Sequence, residues 1–168
     1  METIYFYSHV PKQGEKYSQH VFSQWFVSNF VDENGNKYNC AEQYMMAEKA
    51  RLFMNNKNNE DVLKMILSST NQKEIKDLGR KVDGFNEEIW NKYKFNIVTK
   101  GNMFKFTQND KLKKILLATR NKELVEASPY DRIWGIGYDA LKAQVTDRQK
   151  WGSNLLGKVL EAVRGKLS

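Results

Sequence analysis

The distribution of apolar residues in the first quarter of the chain predicts short strands. Aromatic and β-branched residues from Ile4 to Val10 are typical of a strand. A second apolar stretch, from Val21 to Val31, leads into the polar segment 31–38, where Asn34-Gly35 predicts the turn of a hairpin. The sequence also predicts a polar loop over 11–20 and a short strand from Leu124 to Ala127.

Most of the remaining chain shows the three- and four-residue spacing of apolar positions that is typical of helices. The longest such segment runs from Asn86 to Thr107 and includes Gly101, which predicts a kink or a close packing contact. The other predicted helices cover residues 39–54, 60–68, 71–78, 110–119 and 155–166.

The predicted helix over 39–54 is the most informative of these segments. Asn39 is a suitable N-cap, and Glu42 three residues later completes a capping box. Glu42 and Lys49 are seven residues apart, so they project from the same side of the helix, two turns from each other. That side is predicted to be apolar, with Met45, Met46, Ala50, Leu52 and Phe53, whereas Gln43, Tyr44, Glu48 and Arg51 fall on the opposite side.

A carboxylate and an ammonium group on the apolar side of a helix need an explanation, because burying an unpaired charge is unfavourable. One explanation is structural: Glu42 serves the capping box, and Lys49 extends to the surface or pairs with Glu42. The other explanation is chemical: the two side chains belong to a functional site. The spacing alone leaves both open.

Composition narrows the classes of protein to consider. The 168 residues are 40% hydrophobic and contain no long Gly/Ser linker, which predicts a single domain. The net charge of +7 favours phosphate-bearing partners, although it also serves ordinary solubility. Cys40, His9 and His20 lack the spacing of a metal site, so we predict neither a metal nor a cofactor. The absence of a membrane-length apolar run and of a signal sequence predicts a cytoplasmic protein without membrane contact.

A second informative stretch follows the predicted strand at 124–127. Trp134, beside Gly135 and Gly137, predicts an indole on which a flat ring stacks, with open backbone around it. A packed core tryptophan within an ordinary turn is the alternative. The polar groups of this stretch are Glu126 and Asp131.

Two cationic residues and one helix start are candidates for binding phosphate. Arg80 follows a predicted helix end, and Lys105 lies in the longest helix. The Gly152-Ser153-Asn154 segment opens the final helix, where exposed N–H groups favour anions. A solvated arginine and an ordinary N-cap are the alternatives.

Four blocks of sequence stand in an order that is characteristic of one family. They are Val27-Ser28-Asn29-Phe30; Ala41-Glu42-Gln43-Tyr44 through Ala47-Glu48-Lys49-Ala50; Leu124-Val125-Glu126-Ala127 with Asp131 and Trp134-Gly135-Ile136-Gly137; and Gly152-Ser153-Asn154-Leu155-Leu156-Gly157 ending in Val163-Arg164. With these blocks the chain resembles the NADAR (NAD- and ADP-ribose-associated) family, also called YbiA-like, over nearly its whole length. Ala41 and Gln43 depart from the family pattern, which has Ser or Thr and His there, but Glu42 is retained.

The resemblance implies a compact, mainly helical α+β domain with a small antiparallel sheet, covering residues 1–168. It implies an N-glycosidase that cleaves the bond between a phosphorylated ribose and a nitrogen base. The substrates associated with the family are ADP-ribose attached to guanine, in nucleic acid or nucleoside, and the ribosylaminopyrimidine phosphates of riboflavin synthesis. We expect a monomer that acts on one of these.

The resemblance also implies roles for particular residues. The family carboxylate corresponds to Glu42 and the family lysine to Lys49. Glu42 then activates water or stabilises a sugar cation, or a neutral Lys49 attacks the sugar carbon, and the sequence leaves both routes open. The candidate substrate-binding residues are Ser28, Asn29, Arg80, Lys105, Glu126, Asp131, Trp134, Gly135, Gly137 and Asn154.

Two rival functions remain open at this stage. A non-catalytic module that binds ADP-ribose or a related nucleotide would need the basic surface and Trp134, but neither Glu42 nor Lys49. A plain nucleic-acid binder would use the net charge of +7, yet the lysines and arginines are spread along the chain rather than clustered. Release of product from a substrate separates the enzyme from both binders.

Overall fold

The computed structural model describes residues 1–11, 13–14 and 18–168, so part of the predicted loop over 11–20 lies outside the described residues. The chain divides into two compact units. The central unit comprises Val27–Asn109, and the terminal unit combines Met1–Phe26 with Asp110–Ser168. The prediction that residues 1–168 form a single domain stays a prediction.

Both units contain helices and short strands, which confirms the α+β class. None of the helices in the described part of the chain is long and apolar enough to cross a membrane. The strands are β1 (Thr3–Phe6), β2 (Phe30–Val31), β3 (Lys37–Tyr38) and β4 (Glu123–Glu126). The α-helices are α1 (Ala41–Leu52), α2 (Asn58–Ser68), α3 (Gln72–Gly79), α4 (Glu87–Thr107), α5 (Asp110–Ala118), α6 (Ala140–Gln144) and α7 (Leu155–Leu167), and 3-10 helices cover Gln19–Phe22 and Arg148–Lys150.

The terminal unit is built on a pair of parallel strands, β1 and β4, in which Thr3 faces Glu123 and Phe6 faces Glu126. The predicted strand from Ile4 to Val10 therefore ends early, at Phe6. Helix α7 packs against β4. The predicted antiparallel sheet is correct only for the hairpin of the central unit. The buried apolar residues that join α7 to β4 are Leu124, Val125, Leu156, Val159, Leu160 and Val163.

The hairpin of the central unit pairs β2 with β3 in antiparallel fashion and confirms the predicted turn. One carboxylate oxygen of Asp32 accepts the N–H groups of Asn34 and Asn36, each at 2.9 Å. Gly35 has a φ of +82°, a conformation that favours glycine. The strand begins only at Phe30, so Ser28 and Asn29 precede it rather than lie within it.

Helix α1 is the centre of this unit, because α2, α3 and α4 all pack against it. The predicted division into apolar and polar sides is wrong, since Gln43 and Tyr44 are each only 2% exposed. The predicted N-cap is also wrong: Cys40 occupies that position without a side-chain hydrogen bond to the helix. The side chain that reaches back is Gln43, whose Oε1 accepts the Asn39 N–H at 2.7 Å.

Helix α4 begins where it was predicted, because the side chain of Asn86 accepts the N–H of Ile89 at 3.0 Å and caps its first turn. Gly101, in the middle of this helix, is buried against Tyr44. A methyl group at Gly101 would lie 2.5 Å from Cδ1 of Tyr44, so the glycine serves close packing. The Tyr44 ring in turn contacts the rings of Phe30 and Tyr38.

We expect Gly101→Ala to lower the free energy of unfolding by about 1–3 kcal/mol, because overpacking a close contact costs more than the better helix propensity of alanine contributes. Gly165→Ala is the matched control, since a methyl group there meets no atom within 4 Å. The control should be neutral or stabilise by up to about 1 kcal/mol. Urea unfolding measures both. Equal stability of the two variants would show that the Tyr44 ring yields at no cost.

Candidate active site

Glu42 and Lys49 lie on α1 in the central unit and interact electrostatically. Glu42 is 7% exposed and Lys49 is half-buried. Burial has the largest influence on Lys49 and lowers the pKa of its ammonium group below the usual range. The Glu42 carboxylate opposes this shift, whereas the Arg80 guanidinium adds to it. Three of the predicted site residues therefore share one electrostatic environment.

Two aromatic side chains that were not selected from the sequence lie beside the Lys49 amine. Its Nζ is 4.7 Å from the centroid of the Phe85 ring and 5.9 Å from that of Trp90. Apolar rings exclude water from an amine and so favour its neutral form. Their π faces favour the ammonium form, by about 0.5–2 kcal/mol. The amine thus lies in a partly dry environment with an aromatic wall.

A second buried cluster lies at the start of α1. Cys40 and Lys105 of α4 are each 0% exposed. Burial lowers the pKa of Lys105 to about 7, and the electrostatic influence of Cys40 opposes this shift. Burial also raises the pKa of the Cys40 thiol to about 11, so the thiol is protonated at neutral pH. Lys105 is closed off from the surface, and its role as a phosphate contact stays a prediction.

Ser28 and Asn29 differ in their surroundings. Ser28 is 4% exposed, and its N–H donates to the Asn39 carbonyl at 2.8 Å. Asn29 is exposed and borders an open groove of about 520 Å³ in the central unit. The residue of α1 that lines this groove is Gln43, next to Glu42, whereas Glu42 and Lys49 themselves do not line it.

In the terminal unit, Asn154 fixes the end of β4. Its Oδ1 accepts the Glu126 N–H at 3.0 Å, and its Nδ2 donates to the Leu124 carbonyl at 2.9 Å. Asn154 itself adopts a left-handed conformation, with a φ of +51°. Asn154 is therefore a structural residue that positions the backbone of Glu126.

The loop that follows β4 is held by its own side chains. The carboxylate of Asp131 accepts the N–H groups of Ile133 and Trp134, at 2.8 and 2.9 Å. Gly135 approaches the Glu126 carbonyl so closely that a methyl group there would lie 2.9 Å from it. The Trp134 side chain is half-buried. Gly137 has a φ of +78°, and the Arg132 side chain covers it.

The start of α7 is not an open anion site. The N–H groups of residues 152–156 donate to the carbonyl oxygens of residues 132–136, at distances of 2.8–3.1 Å. Because these donors are already occupied by backbone, the predicted binding of phosphate at the Gly152–Asn154 segment is wrong. The same hydrogen bonds hold the loop around Trp134 against the helix.

Nine of the twelve predicted site residues thus fall into two groups, which do not include Ser28, Asn29 and Lys105. The central unit brings Glu42, Lys49 and Arg80 together. The terminal unit holds Glu126, Asp131, Trp134, Gly135, Gly137 and Asn154 within one hydrogen-bonded region. In the described part of the chain, no group of three or more His, Cys, Asp or Glu side chains is arranged to hold a metal ion.

Comparison with known proteins connects this geometry to a family. The family model described as the NADAR domain matches residues 5–168. The chain belongs to the NADAR family. The match covers both units of this NADAR chain, including the helix that carries Glu42 and Lys49.

Several relatives of this NADAR protein have names that state an activity. N-glycosidase R617 of Acanthamoeba polyphaga mimivirus is 51% identical over 150 residues, covering 86% of each chain. N-glycosidase Npun_R5314 of Nostoc punctiforme is 28% identical, over 98% of this chain and 92% of the relative. These relationships assign the chain to the glycosidase hydrolases.

The fold has a solved counterpart. The NMR structure of the E. coli protein YbiA matches with a TM-score of 0.74 and 25% identity, over 99% of this chain and 84% of that chain. The predicted YbiA-like architecture is therefore confirmed.

The buried lysine makes stability depend on pH. The pKa of Lys105 is about 7 in the folded chain and takes the ordinary lysine value of about 10.4 in the unfolded chain. Between these two pH values the unfolded chain therefore binds one more proton than the folded chain. Stability therefore rises with pH in this window, by up to about 1.4 kcal/mol per pH unit. We expect Lys105→Met to abolish this rise in the free energy of unfolding, as measured by urea unfolding at several pH values within this window.

Lys73→Met is the control, since that side chain is 81% exposed. It should retain the pH dependence of the wild type. A Lys105→Met slope equal to that of the wild type would show that Lys105 keeps its proton in the folded chain.

Proposed function

We propose that this chain hydrolyses the N-glycosidic bond between a phosphorylated ribose and a nitrogen base, using Glu42 and Lys49. The observation that supports this most strongly is the Lys49 amine, whose pKa is lowered by burial although the Glu42 carboxylate opposes the shift. Unlike the fully buried Lys105, Lys49 is only half-buried, and its amine lies in the same electrostatic environment as a carboxylate. A lysine nucleophile needs its neutral form.

The first step breaks the bond to the base. Glu42 in its protonated form donates its proton to the base nitrogen while the bond from that nitrogen to C1 of the ribose breaks. The bonding electron pair leaves with the base, and a sugar cation remains. The resulting Glu42 carboxylate then stabilises the positive charge that develops at the sugar.

The second step uses the amine. Neutral Lys49 forms a bond to C1, and its proton passes to the Glu42 carboxylate. The bond from C1 to the ring oxygen breaks, that oxygen takes the proton back from Glu42, and a protonated Schiff base remains on the lysine. Water then adds to this carbon, and the carbon–nitrogen bond breaks as one water proton passes to the amine and the other returns to the Glu42 carboxylate, which regenerates both residues. The complete reaction consumes one water and releases the base and the sugar.

Two substrate classes fit this proposal. The 51% identical mimivirus relative is named an N-glycosidase. A riboflavin biosynthesis protein PYRR from Zea mays is 30% identical over 81% of this chain, which spans only 21% of that protein. The compounds to test are the two that the family resemblance implies, ADP-ribosylated guanine and ribosylaminopyrimidine phosphates, and the name of the maize relative favours the second. The net charge of +7 suits the phosphates that both carry.

A direct assay tests the proposed activity. Pure protein is incubated with ADP-ribosylated guanosine and, separately, with ribosylaminouracil phosphate, and the products are identified by mass spectrometry. Release of the free base compound and the free sugar phosphate from either substrate supports the proposal. Tight binding of ADP-ribose without any product would favour the non-catalytic binding module.

We expect Glu42→Gln to reduce kcat by about 10²–10⁴-fold, because glutamine neither donates nor accepts the proton. The loss should appear in kcat rather than KM, since the substrate contacts are retained. Glu48→Gln is the matched control: it lies on the same helix, pairs with Arg51 at 2.7 Å and should keep nearly full turnover. Full activity of Glu42→Gln on a confirmed substrate would assign Glu42 a structural role.

We expect borohydride, added during turnover, to trap a sugar on Lys49 by reducing the Schiff base to a stable amine. Peptide mass spectrometry locates the added mass. Lys49→Met should lose both the adduct and most of the turnover, whereas the exposed variant Lys64→Met should keep both. Normal wild-type turnover without any trapped adduct would favour water activated by Glu42.

A further inference from the structure

Phe85 is a large aromatic residue that stays exposed next to the candidate nucleophile. It is 44% exposed, and the centroid of its ring lies 4.7 Å from Nζ of Lys49. Single exposed apolar side chains are common on protein surfaces. The feature that distinguishes Phe85 is its position beside the Lys49 amine.

The backbone before Phe85 is held in place by asparagines. Asn59 is 0% exposed, accepts the Asp83 N–H at 2.8 Å and donates to the Asp83 carbonyl at 2.9 Å. The next residue, Gly84, has a φ of +69° and lies against the Asn56 side chain, where a Cβ would collide. The corner before Phe85 is thus held by the two hydrogen bonds of Asn59 and by Gly84, whose positive φ and close contact with Asn56 do not allow another residue without strain.

The ring itself is also anchored. Phe85 makes an edge-to-face contact with Phe53, with centroids 5.7 Å apart and an interplanar angle of 66°. Phe53 is 5% exposed and belongs to the core. A ring held by a core residue on one side and open to solvent elsewhere loses little further entropy when a ligand covers it.

The distance between the Lys49 amine and the Phe85 ring suits the proposed reaction. An amine attacks a carbon at about 3–3.5 Å, and the leaving base is bonded to that same carbon. The base therefore begins within a few ångströms of Nζ and extends away from it, which brings it within reach of the solvent-exposed part of the Phe85 ring, whose centroid lies 4.7 Å from Nζ. Bases stack on aromatic side chains with about 1–3 kcal/mol of favourable free energy each.

We propose that the Phe85 ring is the platform on which the nitrogen base of the substrate stacks while its bond to the ribose is cleaved. This inference rests on the proposed function and adds the residue that recognises the base. Stacking accepts every flat heterocycle. Phe85 therefore binds purines and pyrimidines alike, and hydrogen bonds from other residues distinguish them.

The experiment compares a ligand that has a base with one that has none. Calorimetry measures the Kd of guanosine 5′-monophosphate and of ribose 5-phosphate for the wild type, Phe85→Leu and Phe85→Tyr. Phe85→Leu should weaken the nucleotide by about 5- to 150-fold, which corresponds to the loss of one stacking contact. It should leave ribose 5-phosphate unchanged. Phe85→Tyr keeps the aromatic face and should restore nucleotide affinity.

Tyr93→Leu is the matched control, because Tyr93 is 41% exposed in the same unit and is as large a ring. It should leave both affinities unchanged. Equal weakening of both ligands by Phe85→Leu would indicate a structural role and overturn the proposal. An unchanged nucleotide affinity in Phe85→Leu, or no nucleotide binding by the wild type, would also overturn it.

Activity measurements separate this inference from the proposed function. If the nucleotide binds in a Phe85-dependent manner but neither candidate substrate is hydrolysed, the hydrolase proposal fails and the platform stands. If the wild type hydrolyses a substrate and Phe85→Leu keeps both its kcat/KM and its nucleotide affinity, the platform fails and the hydrolase stands.

Discussion

The burial of ionisable groups around α1 is the constraint on which the central unit depends. Glu42 and Lys105 are almost or wholly removed from water, and Lys49 is half-buried. Each buried charge costs free energy that apolar packing has to offset. The packing of α2, α3 and α4 on α1 supplies that offset. The close approach of Tyr44 to Gly101 shows how tightly it does so.

The terminal unit depends instead on the pairing of buried backbone polar groups. Its polar groups near β4 and α7 are backbone amides and carbonyls that bond to one another, with the side chains of Asn154 and Asp131 completing the set. A region whose donors are occupied in this way is rigid, because moving it would leave buried polar groups unpaired. The Trp134 loop is therefore a fixed feature of this unit rather than a set of free donors.

Local sequence was a good guide to elements and a poor guide to tertiary partners. The hairpin at Asn34-Gly35 and the start of α4 at Asn86 follow from short-range chemistry, so both could be predicted. The spacing of Glu42 and Lys49 selected the two coupled charges for the same reason. The anion site expected at Gly152–Asn154 was wrong, since carbonyl groups about twenty residues earlier in the chain occupy its donors. No local pattern reveals such a partner.

The surroundings of Lys105 and Phe85 could not be predicted for a related reason. Lysines are mostly exposed, yet Lys105 is 0% exposed, because the packing of α4 against α1 decides burial. No sequence pattern selected Phe85. Phe85 matters because it lies beside Lys49 in the structure. No helix or strand periodicity places the two residues together, so the sequence could not predict this contact. The glycine directly before this aromatic residue was the available sequence signal, and its meaning depends on the positive φ of Gly84 and on the asparagine contacts, which only the structure shows.

The proposed mechanism needs a neutral Lys49 amine, and three influences on its pKa determine whether the amine is neutral: burial, Glu42 and Arg80. Arg80 lowers the pKa of Lys49, but a phosphate bound at Arg80 would cancel that influence. Glu42 raises the pKa as long as it is ionised. Burial, already the largest influence in the free chain, is then the one that substrate binding strengthens. A base stacked on Phe85 would remove water from the amine at the moment when the neutral form is needed. Recognition of the base and activation of the nucleophile thus depend on the same aromatic wall.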